Sequence, residues 1–376
     1  MQLDTILQKA TAEQPLDRSE ILQLLALKDA ADQAKVFAAA RIIREKHFGN
    51  KIFLYGFIYF STYCKNNCSF CYYRKTNDES PRYRKSIDET VKIAGELAAS
   101  GVHLIDLTMG EDPFFHAAAN YQQLSKLVRA VKKASGLPVM VSPGLLPARG
   151  LYELKTAGAD WYAVYQETHN PGLYAGLRLQ QDYDDRIEAK VKAKKLGLFI
   201  EEGILLGVGE EPDDIVDSIL TMQQLAVHQA RVMSLVPQGG TPLAGHPAPP
   251  ESRELLTIAV MRLVLGNVLI PASLDIEGIA GLKRRLEAGA NVVTSIIPPA
   301  TGLAGVSQSS LDIEEGFRTV AGVSKILNDL QLHAAAPQDY ISWLQARKKV
   351  PQHKAGLQEG DVINENRHCR RSAAGN

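Results

Sequence analysis

Three of the chain's four cysteines lie within eight residues, as Cys64-x3-Cys68-x2-Cys71. They follow an apolar run, KIFLYGFIYF (51–60), that reads as a β-strand. Thiolates at this spacing can ligate three corners of a cubane iron–sulfur cluster. A fully ligated cluster takes four cysteines, so one iron is left without a protein ligand and is free to chelate a small molecule. The competing reading is a zinc site of three cysteines and a histidine. Structural zinc favours four ligands in paired spacing, and no histidine occurs in residues 49–102.

A second set of chemistry-bearing residues sits at the ends of later apolar segments. In DLTMGED (106–112), Asp106 and Thr108 share one face of a strand, because side chains alternate along it. A carboxylate facing a core is costly without a cation or a ligand, and either partner remains open. Gly110 and Glu111 follow in the loop, where Glu111 can accept hydrogen bonds from an ammonium group. Ser142 ends another segment ahead of Pro143-Gly144, and Glu167 ends the next in YQETH (165–169). Arg178 follows and can pair with a ligand carboxylate. Arg231 opens a later strand; Ser273 and Asp275 close the one after it. Arg231 is the natural countercharge to Asp106 or Asp275, which gives a guanidinium for a substrate carboxylate and carboxylates for its ammonium groups. Glu277 is expected to cap the helix beginning near 279, leaving Asp275 to face the ligand. His169 has no evident acid partner and reads as polar surface, as does Cys369 between His368 and Arg370.

The elements that must position these residues follow a repeating pattern. Apolar, β-rich segments at 51–60, 102–108, 138–142, 161–166, 198–206, 231–236, 268–273 and 292–297 alternate with helical stretches near 87–100, 117–135, 148–157, 184–196, 212–228, 251–265 and 279–288. Glycines 101, 136, 158, 197 and 289 stand between a helix and the next strand. The pattern predicts an α/β fold, a (β/α)8 TIM barrel over 48–307, whose functional side chains gather at the C-terminal ends of the strands. An open doubly wound sheet is the alternative, but no Gly-x-Gly-x-x-Gly follows any strand. Residues 1–47 predict an N-terminal helical extension packed across one end of the barrel. Residues 308–350 predict C-terminal helices, the first spanning 308–333, and 351–376 a polar tail.

With 42 basic and 42 acidic residues, the chain has no net field to recruit nucleic acid or an anionic membrane. No apolar stretch approaches roughly 18 residues, and the N-terminus lacks a basic-then-apolar leader pattern. These features predict a cytoplasmic protein, where a reducing environment suits a thiolate-held cluster.

The cysteine spacing, with Phe70 before the third cysteine and Tyr72 after it, resembles the signature of the radical S-adenosylmethionine (SAM) superfamily. Four stretches narrow the resemblance to its pyrrolysine-biosynthesis branch, the methylornithine synthases: YFSTYCKNNCSFCYY (59–73), DLTMGEDP (106–113), RVMSLVPQGGTPL (231–243) and IPASLDIEGI (270–279). The likeness runs from about Phe48 to Gly305. It implies one [4Fe–4S] cluster on Cys64, Cys68 and Cys71, with SAM on the open iron and contacted by Gly110, Glu111, Ser142, Glu167 and Arg178. It implies an L-lysine site built from Asp106, Arg231, Ser273 and Asp275, and an external electron donor such as flavodoxin or ferredoxin. The reaction it implies converts L-lysine to (3R)-3-methyl-D-ornithine by hydrogen abstraction, fragmentation and recombination. Biotin synthase and the hydrogenase maturase resembling it are the alternatives. The former needs ligands for a second cluster, and only Cys369 remains.

Overall fold

Eight apolar segments become eight parallel strands in a computed structural model that describes residues 3–117, 120–303 and 317–348. They are β1 (Lys51–Ser61), β2 (Leu104–Met109), β3 (Val139–Ser142), β4 (Trp161–Ala163), β5 (Phe199–Leu206), β6 (Gln229–Ser234), β7 (Pro271–Ser273) and β8 (Val292–Ile296). Hydrogen bonding runs in the order β6-β5-β4-β3-β2-β1-β8-β7. The seam between β6 and β7 is closed by one bridge, Gln229 to Leu269, near the start of both strands. This is a nearly closed (β/α)8 barrel, as the strand–helix alternation predicts.

Local chemistry explains the outer helices. Ser86 and Glu89 form a reciprocal capping box on the helix Ile87–Ser100, which ends on left-handed Gly101. Strand four is shorter than expected. After Ala163 the chain leaves the ladder, and left-handed Glu167 (φ 70°) re-pairs with Ile204 of β5. Just beyond lies the helix Pro171–Leu177, which the apolar periodicity misses. Its signal is Asn170-Pro171, where the Asn170 side chain accepts the N–H groups of Gly172 and Leu173 and proline takes the first turn. The short helix Pro113–His116 is likewise additional, whereas Leu3–Thr11 lies within the expected N-terminal helical extension.

The N-terminal helices do not cover the barrel end as expected. Ala30–Phe48 packs beside the helices Glu251–Leu265 and Gly278–Glu287. There Arg41 and buried Arg44 donate to the terminal carbonyls of Glu287 and Leu286, the negative end of that helix. The base of the barrel is plugged by the last described helix, Pro337–Lys348. Tyr340 meets the Tyr55 hydroxyl at 2.8 Å, and Trp343 stacks on Trp161 with centroids 6.0 Å apart. Of the long helix expected over 308–333, the turns Val320–Asp329 are helical, while 308–316 lie outside the described residues, as do 351–376 with Cys369. No helix among the described residues is long and apolar enough to cross a membrane.

Two histidines extend the ladder at the base. His103 precedes β2 and accepts the Leu54 N–H through Nδ1 at 2.9 Å; His228 precedes β6 and accepts the Ile200 N–H at 3.0 Å. Each therefore works as a neutral ring. Burial lowers the basicity of both, that of His228 to about 3. An unfolded histidine titrates near 6.5, so below that pH the unfolded chain binds more protons than the folded one, and stability falls as pH drops toward 3. Urea midpoints measured between about pH 7.5 and 5 should decline. His228→Leu should start lower, having lost the Nδ1 acceptor, and decline less steeply. An unchanged slope in that variant would contradict this account.

Candidate active site

The cysteines lie on an irregular stretch, Thr62 to Lys85, in which side chains do the work of secondary structure. Arg82 is its centre. Nη1 donates to the carbonyls of Thr62 (2.6 Å) and Tyr73 (2.9 Å), and Nη2 to those of Arg74 (2.6 Å) and Asn77 (3.0 Å). Asn77 extends the clamp, its amide donating to Tyr72 and Gly239 carbonyls. The stretch is tied to the barrel by Arg84, which forks onto Asp112 at 2.7 and 2.8 Å, and by the Ser61 hydroxyl donating to the same carboxylate.

All three thiols are free, Cys68 buried and the others partly so. Burial pushes the Cys64 thiol up to about 11 and Cys71 higher still, so a bound cation must displace their protons. Cys64 Sγ accepts the Asn66 N–H at 3.4 Å; Cys68 Sγ accepts from Gln181 at 3.1 Å and Arg178 at 3.6 Å. These donors suit sulfurs carrying negative charge.

The cysteines open onto a cavity of about 190 Å³ that continues to an open mouth. Gly110, Glu111, Ser142, Glu167 and Arg178 line it near the cysteines, and Arg231 and Asp275 line it too. Glu111 is buried, which opposes ionisation, but Arg186 at 3.5 Å, the Leu145 N–H at 2.8 Å and Lys65 at 3.3 Å together hold it at about 2. It is thus already paired with cations. It leans on Gly144 (φ 76°), where a Cβ would stand 2.1 Å from Glu111 Cγ; only glycine leaves that room. Glu167 is ion-paired with Arg178.

Deeper in the barrel the charges pair differently from the expectation. The partner of Arg231 is neither Asp106 nor Asp275 but Glu201 of β5, at 2.8 Å. Glu201 also accepts from Gln229 (2.6 Å) and from the Tyr165 hydroxyl (2.9 Å), and the Tyr165 ring fills the space where a Cβ on Gly203 would meet it at 2.8 Å. Arg231 Nη1 donates to Thr294 at 3.1 Å, while Nη2 has no hydrogen-bond partner among the described residues. Asp275 is held by Arg318 at 2.9 Å, by Ser295 at 2.7 Å and by the Tyr59 hydroxyl at 2.8 Å. Asp106 and Ser273 sit behind the lining. Asp106 accepts from Ser142 (2.9 Å) and Thr108 (3.1 Å), its other oxygen has no partner among the described residues, and burial followed by the nearby Glu201 charge raises it to about 7. Ser273 accepts the Asp275 N–H at 3.3 Å.

Two side readings change. Glu277 stands at the N-cap of Gly278–Glu287 but makes no capping hydrogen bond; its carboxylate pairs with Arg284 (3.1 Å) and Arg285 (3.4 Å) instead. His169 is buried rather than superficial and lies 3.7 Å from Glu202, a buried acid on the outer face of β5 that Lys190 neutralises at 2.6 Å.

A barrel whose first strand runs into three free cysteines beside an open cavity is the architecture of a radical SAM enzyme, and residues 58–222 match the family model described as the radical SAM superfamily. The chain is 41% identical over 339 residues to 3-methylornithine synthase of Methanosarcina barkeri, covering 90% of this chain and 96% of that one. A crystal structure of methylornithine synthase superposes with a TM-score of 0.86 at 40% identity, over 90% of this chain and 99% of the other. The [FeFe] hydrogenase maturase subunit HydE of Thermotoga maritima is 30% identical, over 73% and 79% of the two chains. The chain belongs to the 3-methylornithine synthase family. Membership in the superfamily implies a [4Fe–4S] cluster and SAM, and the donor-flanked thiols beside an open cavity fit both.

Arg82 should be irreplaceable by lysine, since an ammonium cannot fork onto four carbonyls. Arg82→Lys is expected to lower stability by about 2–3 kcal/mol, read from denaturant midpoints, because buried carbonyls lose a charged donor. The variant should also retain less iron after anaerobic reconstitution.

Proposed function

We propose that this protein converts L-lysine to (3R)-3-methyl-D-ornithine as a radical SAM mutase, the first step of pyrrolysine biosynthesis. Cys64, Cys68 and Cys71 would hold the cluster, with Gly110, Glu111, Ser142, Glu167 and Arg178 around SAM. Together, cluster and SAM supply a 5'-deoxyadenosyl radical able to take a hydrogen from the substrate, given one electron from an external donor such as flavodoxin or ferredoxin.

The observation that carries the reading is the charge of the deep cavity. Glu201 pairs with Arg231 and Asp275 with Arg318, which leaves Asp106 as the acid without a cation of its own, partly protonated near neutral pH and able to ionise against an incoming positive charge. L-Lysine, with two ammonium groups and one carboxylate, carries the matching positive charge. Arg231 offers its unpartnered Nη2 to the substrate carboxylate, while Phe57 and Tyr165 flank the guanidinium at 5.8 and 5.7 Å and keep water from it. Asp275, on the cavity wall, serves an ammonium group, while Asp106, behind the wall and poised near neutrality, adds its charge from beyond Thr108 and Ser142; Ser273 steadies the Asp275 backbone. A positive charge in the cavity favours the ionised form of Asp106, so binding at neutral pH releases a fraction of a proton.

Cys64→Ala, Cys68→Ala and Cys71→Ala should each abolish SAM cleavage and lower the iron content of reconstituted protein, with the circular dichroism of the barrel retained. Stable zinc without sulfide in anaerobically isolated protein would rule out the cluster.

Asp275→Ala should remove turnover, leaving Arg318 buried without its carboxylate at a cost of about 3–5 kcal/mol. Glu277→Ala should cost under about 1 kcal/mol, since Glu277 and Arg284 are both exposed and buried Arg285 keeps its closer partner Glu254 at 2.6 Å. The reverse order in lysine turnover would invalidate the placement of these two acids. Anaerobic incubation of reduced enzyme with SAM and L-lysine should yield an isomer of unchanged mass, branched and of inverted α-configuration on chiral analysis. Lysine recovered unlabelled and unchanged, with turnover of a thiol-containing substrate, would favour the maturase-like chemistry.

A further inference from the structure

Gln181 follows the helix Pro171–Leu177 and, beyond its hydrogen bond to Cys68, has no part in the proposed function. Its carbonyl oxygen lies 3.5 Å from Arg178 Nη1 and 3.3 Å from Arg186 Nη1, and its amide nitrogen lies 3.1 Å from Cys68 Sγ. Two cations on one side settle the orientation of the amide. The reverse orientation would turn NH2 toward two guanidiniums and a carbonyl toward sulfur, with no acceptor for the one and no donor for the other. Neither guanidinium can turn away. Arg186 Nε donates to the Tyr165 carbonyl at 2.7 Å, and Arg178 is bound to Glu167. Gln181 is therefore a donor aimed at one sulfur by parts of the cavity wall.

A hydrogen bond to a ligating thiolate stabilises the more negative, reduced form of an iron–sulfur cluster more than the oxidised form. We propose that Gln181 is a positioning residue that raises the reduction potential of the cluster through Cys68. The proposal rests on the reading that Cys68 ligates the cluster. The electron comes from a low-potential donor, one per cluster, and Gln181 changes only how readily it is accepted.

The test is an anaerobic redox titration with viologen mediators, following the reduced cluster by electron paramagnetic resonance, on reconstituted wild-type protein, Q181L and Q181E. Q181L removes the donor. Q181E keeps an acceptor between the two arginines, so it retains their packing, but supplies no N–H and adds negative charge. At a poise where the wild-type cluster is half reduced, Q181L should lower the reduced-to-oxidised ratio about threefold, on the order of 28 mV for a one-electron couple. Q181E should lower it further. An unchanged ratio in both variants at full iron loading overturns the proposal. So does loss of the cluster from both, which would make Gln181 part of the loop's scaffold. Absence of a cluster from the wild-type protein itself takes away the ligation reading along with this one, and the iron count distinguishes that case.

Discussion

A carboxylate stays ionised inside a barrel only with a cation or several donors at contact distance, because the low-dielectric interior repays nothing less. That constraint organises the deep cavity. Glu201 is met by Arg231, Gln229 and Tyr165, and Asp275 by Arg318, Ser295 and Tyr59. Asp106 receives only two hydroxyls, and its affinity for protons rises accordingly. The same rule applies behind the sheet, where Glu202 is neutralised by Lys190. What distinguishes the inside is that one acid, Asp106, is left without a cation of its own.

The cysteine stretch answers a related problem for the backbone. A long irregular segment has carbonyls that no ladder satisfies, and leaving them unpaired near a buried thiol would be costly. Arg82 and Asn77 supply the missing donors from within the stretch, so it folds around its own side chains and then docks through Arg84 and Asp112.

Much of this was legible in the sequence, and what was not has a common cause. Alternation and helical periodicity mark the strands and outer helices because each element buries one face. The cysteine triplet is local in sequence, and Asp106 and Asp275 stand out as acids at the ends of apolar strands. The partners of those acids were hidden, because pairing happens through space. Arg318 lies 43 residues from Asp275, and Arg231 meets Glu201 across adjacent strands. Glu201-Glu202 did carry a signal: two adjacent acids in an apolar strand must point to opposite faces, so one had to enter the barrel. Arg82 looked like any basic residue in a polar loop, since nothing in its neighbours says that it points inward.

The seam between β6 and β7 has a mechanical consequence. With Gln229 and Leu269 joined at the base and no ladder continuing above them among the described residues, the barrel is a split ring rather than a hoop. A hoop changes girth only by breaking hydrogen bonds; a split ring flexes at its joined end. The rim near this slit includes Met233 and Asp275, which border the cavity from the two sides. On this side the cavity wall is therefore held by side chains and by the outer helices rather than by a backbone ladder.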